Sequence, residues 1–224
     1  MITTLIDKQD NFEVVRDKIA QILANEVAEQ KILAVAAAKD PLDWDMKIFT
    51  ERSNPWEQFL NDPAPGEGRS PIINVWFDSE TFPQDVGSTV ERQRADGLFN
   101  IDCYGYAVSA DVAAGGHNPG DKAAALEAQR AFRLVRNILM AAVYTYLDLR
   151  GVVAQRWPQS AEVFQPEING RSTQQVVAAR MVLRVAYNEF SPQVEPETLE
   201  FVSVDVKRAE DGSVVAETDY DFTI

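Results

Sequence analysis

Nucleophilic catalysis needs a nucleophile and a base, and this sequence offers few of either. Cys103 is its one cysteine and His117 its one histidine. A Cys–His pair would perform thiolate chemistry if the imidazole drew off the thiol proton. Cys103, however, alternates with Phe99 and Ile101 in a stretch that reads as a strand, which suits a small buried hydrophobe. His117 follows the run Ala113-Ala114-Gly115-Gly116, where a lone imidazole is expected to face solvent. A single histidine also rules out a His-rich zinc site and any two-histidine motif.

Other candidate chemistry fails on spacing. The segment 115–123 has the glycines of a phosphate loop, but Asp121 separates Gly120 from Lys122, and Ala123 replaces the hydroxyl that would meet a metal. An acid aimed at the phosphate position would oppose binding. The acid pairs Asp43/Asp45 and Asp219/Asp221 stand outside any acid-and-glycine calcium loop, and solvated surface is the favoured reading. The residues therefore predict no catalytic centre, no metal and no cofactor: not an enzyme.

Two arginine sets remain. Arg180 and Arg184 share the outward face of a strand, where pairing within the chain is the favoured reading. Arg92 and Arg94 fall in a long polar stretch, 79–96, that reads as a loop and is equally suited to meeting a neighbour's acids. Together with Phe82, Trp44, Trp56, Tyr220 and Phe222 they are the candidate contacts to another subunit or partner.

The elements that position these residues follow from periodicity. Residues 118–150 read as one long helix with Pro119 near its start and Gly151 past its end. Ala128, Phe132, Val135, Leu139, Ala142, Tyr146 and Leu149 form its apolar stripe. Asp10 and Glu13 resemble a capping box that opens a second helix over 10–38, with a narrower stripe suited to an outer face. Strands are expected at 46–52, 71–78, 98–109, 173–189, 199–207 and 214–224, with shorter pieces at 152–157 and 162–165 broken by Pro158. The pattern predicts an α+β fold: a mixed, largely antiparallel sheet packed by both helices, with a C-terminal β-hairpin. Residues 1–190 form the main domain, 41–71 an irregular insertion within it, and 191–224 an extension.

Composition adds limits. The net charge of −14 argues against gripping nucleic acid, which needs Lys and Arg to neutralise phosphates. It is compatible with a surface that DNA slides past. One cysteine fits a reducing compartment. The start of the chain is polar and no run nears the length of a membrane span, so no membrane partner and a cytoplasmic site of assembly are expected.

The succession Asp96-Gly97-Leu98-Phe99-Asn100-Ile101-Asp102-Cys103-Tyr104-Gly105-Tyr106, then Asp121, Ala124, Ala125, Ala128 and Arg130 on the long helix, resembles the tail-terminator proteins of tailed bacteriophages over 72–153. More loosely it resembles neck and tail-completion proteins. The resemblance implies a homo-oligomeric, hexameric ring in the virion. Such a ring seats on the last tail-tube ring, halts tube growth, docks the neck or connector and, in contractile tails, holds sheath protein. DNA would pass its lumen unbound. Other readings are a head-completion or baseplate protein, a ligand-binding module with a concave aromatic pocket, and an enzyme resting on His117 and Cys103.

Overall fold

The computed structural model describes residues 5–57, 70–83, 92–112, 116–166, 174–190, 201–207 and 214–221. The chain forms two compact units, Met1–Pro192 and Gln193–Ile224. The first is built on a five-stranded sheet with the order β1-β2-β3-β7-β6. Its strands are β1 (Lys47–Thr50), β2 (Ile72–Thr81), β3 (Arg92–Val108), β6 (Val153–Phe164) and β7 (Gln174–Phe190). β1 runs parallel to β2 and every other pairing is antiparallel, so the expected mixed, largely antiparallel α+β fold is observed.

Helices α1 (Asn11–Ala36) and α2 (Gly120–Met140) pack on one face of this sheet. Alternation explains which face. Ile73, Val75, Phe99, Ile101, Cys103, Met181, Leu183, Val185 and Tyr187 point to the helices and meet Val15, Ile19, Leu23, Val135 and Leu139. α1 opens as expected: Asp10 caps it and its N–H donates to the Glu13 carboxylate at 3.0 Å. Gly105 fits β3 against α2, since a Cβ there would lie 2.2 Å from the Ala124 carbonyl oxygen.

Several boundaries differ from those expected. The long helix ends at Met140, ten residues early. A 3-10 turn at Ala142–Tyr144 and further turns follow, and Leu147 takes a left-handed φ of 50° while fully buried. Arg156 on β6 adds a second donor to two carbonyls there, donating from Nη2 to the Ala141 oxygen at 2.8 Å and from Nε to the Tyr144 oxygen. The glycine-rich lead is not plain loop: β4 (Ala110–Val112) and β5 (Gly116–Asn118) pair as a small ribbon. Pro158 does not break its segment. β6 runs through it with a register shift between Pro158 and Ser160, tolerated because β6 lies at the sheet edge.

The 79–96 loop is shorter than expected. β2 extends to Thr81 and β3 begins at Arg92, which puts Arg92 and Arg94 on a strand. The expected helical turn after Asn54-Pro55 is described only to residue 57, where Glu57 N–H donates to the Asn54 carbonyl at 3.1 Å. The turn expected at Asn169-Gly170 lies outside the described residues. In the second unit β8 (Phe201–Lys207) and β9 (Val214–Asp221) form an antiparallel hairpin.

Candidate functional site

The sheet face away from the helices carries polar groups that register brings together. Asp102 on β3 lies directly opposite Arg180 on β7, because the two strands pair without a break over seventeen positions. Arg180 donates from Nε to Asp102 Oδ1 at 2.6 Å and from Nη2 to Oδ2 at 3.0 Å, a two-point pairing. The same Oδ2 accepts from the Trp76 indole at 3.0 Å and from the Tyr104 hydroxyl at 3.2 Å. Asp102 is 1% exposed, and these donors take the place of water around its carboxylate.

Aromatic rings hold the cation in turn. The Arg180 guanidinium lies 5.0 Å from the Trp76 ring centroid and 4.9 Å from that of Phe164, within cation–π range of both. Tyr104 packs edge-on against Phe164 at 6.3 Å. The Asp102 hydrogen bond holds Arg180 firmly protonated, while burial, with the Asp102 charge, pushes the Tyr104 hydroxyl well above its ordinary range. A matching unit lies further along the face. Arg184 donates to Asp96 at 2.7 Å and stacks over Trp157 at 4.9 Å. Both arginines therefore pair within the chain, and both carboxylates are buried rather than solvated.

Around the first unit a cleft of about 480 Å³ opens, lined by Trp56, Trp76, Tyr104, Phe164, Arg180 and the loop 51–54. Glu51 turns that loop with a left-handed φ of 52°, a strained conformation for a side chain with a Cβ. Asn74 clamps the next residue, accepting from Arg52 N–H at 3.2 Å and donating to its carbonyl at 2.9 Å. The Arg52 guanidinium lies over Phe49 at 4.5 Å.

The sequence candidates scatter over the molecule. Trp56 joins the cleft. Trp44 ends the 3-10 turn Pro41–Trp44 and borders a separate hollow of about 270 Å³ with Arg130, Arg133 and Leu134. Arg92 and Arg94 are exposed on the same face of β3 as Asp102, about 26–33 Å along the strand at its usual rise. Phe82 follows β2 and is 47% exposed. Tyr220 lies on β9, and Phe222 falls outside the described residues. Sequence reasoning missed Asp102, Trp76, Tyr104 and Phe164. Only a buried-strand aspartate at an outward position, Asp102, offered a signal.

The remaining reactive groups stay apart. Cys103 is fully buried and burial raises its thiol pKa far above the ordinary value, so it carries no thiolate. His117 lies on the β4–β5 ribbon. Asp45 is not simply solvated: Lys31 at 2.6 Å, with Ser70 beside it, holds its carboxyl below the usual range. Among the described residues no three His, Cys, Asp or Glu side chains could share a metal ion. No described helix is long and apolar enough to cross a membrane. No protein-family model matches this chain, and no curated protein sequence matches it either.

Proposed function

We propose that this chain is a non-enzymatic structural protein of a tailed phage: a ring that caps the tail tube, ends its growth and joins it to the neck. The observation that carries this reading is the hairpin of β2 and β3 followed by a helix laid back along β3 and β7, in the succession that resembles tail terminators. Three features support it. β6 is a twelve-residue strand whose outer half is largely exposed, and among the described residues it is an edge strand, the kind of surface another chain can extend. A second compact unit supplies a hairpin of its own. The charge of −14 would let DNA traverse a lumen without adhering.

In such an assembly the exposed Arg92, Arg94 and Phe82 would lie at subunit contacts, and a closed ring leaves no free face for further growth. The partners are other copies of the chain, tube protein, neck protein and, in a contractile tail, sheath. The test is the solution mass of the purified protein with particle images, followed by addition to growing tail tubes. A closed ring, or one formed on tubes, together with arrest of tube length is expected. A strict monomer at micromolar concentration that ignores tubes would overturn the reading. The 480 Å³ aromatic cleft would then favour a ligand-binding module.

A further inference from the structure

We propose that the cleft walled by Trp56, Trp76 and Phe164 and rimmed by residues 51–54 binds a neutral oligosaccharide. The inference goes beyond the assembly reading and does not depend on it.

Charge argues first for an uncharged ligand. Arg52 and Arg180 bring positive charge to the cleft, while Glu51 and Asp102 line it beside them. Arg180 spends two donors on Asp102, and Glu162 stands 3.6 Å from it. A phosphate or a polyanion would meet little net attraction there.

The rim presents donors and acceptors together on four consecutive exposed residues. Asn54 donates from Nδ2 to Glu57 at 3.1 Å, which leaves its carbonyl oxygen to accept. Glu51 Oε1 is engaged by Arg16 and by the Phe77 N–H, so Oε2 is the oxygen on offer. Arg52, seated over Phe49, supplies N–H donors, and the Ser53 hydroxyl both donates and accepts. A sugar hydroxyl likewise donates one bond and accepts two. Adjacent hydroxyls are therefore matched by mixed donors and acceptors, not by one sign of charge.

The aromatic wall supplies the other half of the match. Arg180 already lies over Trp76 and Phe164, at 5.0 and 4.9 Å from their centroids, which leaves poor stacking for a planar base. Trp56 is half-buried and carries no ring or cation partner among the described residues. Its indole offers a platform for the apolar C–H face of one pyranose, with the hydroxyls at the ring edge reaching the rim. The 480 Å³ volume holds a short oligosaccharide. Asn74 clamps the Arg52 backbone on both sides, so the rim is set before a ligand arrives and little ordering is lost on binding.

Calorimetry and tryptophan emission of the full-length protein test the assignment. The probes are maltohexaose, cellohexaose and the N-acetylglucosamine hexamer, with adenosine monophosphate and a heparin hexasaccharide as charged comparisons. At least one neutral probe is expected to bind with a Kd of about 1 mM or tighter, and both charged probes more weakly. Trp56→Ala should weaken that binding about tenfold or more, and Ser53→Ala/Asn54→Ala about fivefold. Circular dichroism checks that Trp56→Ala is folded; if it is not, the exposed rim pair carries the test. Silence of all three neutral probes at about 10 mM, tighter binding of a charged probe, or unchanged affinity in the rim pair would overturn the site. Ring formation is read separately, by mass and tube length, so either reading can fail while the other stands.

Discussion

Asp102 is a buried carboxylate that survives on its neighbours' donors. Asp102→Asn keeps the shape but removes the charge, leaving Arg180 only the exposed Glu162 at 3.6 Å and setting one donor against another. Breaking such a pair costs about 3 kcal/mol, read as a lower urea midpoint. Because Arg180 and Asp102 act as one unit, the double change to alanine should cost less than the sum of the two single changes. Gly105 makes the complementary case, since its constraint is space. A methyl group there meets the Ala124 oxygen at 2.2 Å and the Ala128 nitrogen at 2.5 Å, both backbone atoms of α2. Gly105→Ala should therefore lift the helix from β3 and destabilise the fold by about 1–3 kcal/mol, with earlier hydrogen exchange along α2. A glycine in a strand was visible in the sequence. That a helix backbone would press on it was not, because nothing near Gly105 in the chain marks Ala124 as its neighbour.

At the scale of elements, helix ends are where local signals and packing compete. The apolar pattern of α2 continues past Met140, and Gly151 does take a left-handed φ of 88°, but it closes a run of turns rather than the helix. The chain leaves the helix so that Leu147 can enter the core. The carbonyls of Ala141 and Tyr144 accept N–H groups of the following turns and gain a second donor in Arg156 from β6, a side chain twelve residues or more away. Burial lowers the Arg156 pKa without threatening its charge. Arg156→Ala should cost about 1.5–3 kcal/mol, the worth of hydrogen bonds to a charged group, and should fray residues 141–148 first in hydrogen exchange. The edge position of β6 explains another departure. A proline breaks a central strand, yet at an edge its missing N–H deprives no neighbour, so Pro158 stays within the strand.

Across the whole molecule stability should fall at high pH. Three of the six tyrosines ionise with difficulty. Burial pushes Tyr104 and Tyr187 far up, and the hydrogen bond to Glu26 pushes Tyr144 up to about 12. Their folded values exceed the unfolded value of about 10, so the stability they contribute is complete below that pH and is lost as pH rises through the folded values. Phenolate absorbance should show Tyr104, Tyr144 and Tyr187 appearing late, together with unfolding. A single smooth titration near pH 10 of all six would contradict the packing of these three rings.

Fold class, the burial of Cys103, the capped start of α1 and the long strand β7 were legible in the chain before folding. Each of these rests on periodicity or on residues within one turn of each other, and here packing agreed with the local signal. The cleft was decided by tertiary structure alone. Asp102 and Arg180 are 78 positions apart, and they meet only because the whole of β3 pairs in register with the whole of β7. That register is set by which face of each strand the helices bury, a global choice that no local stretch encodes.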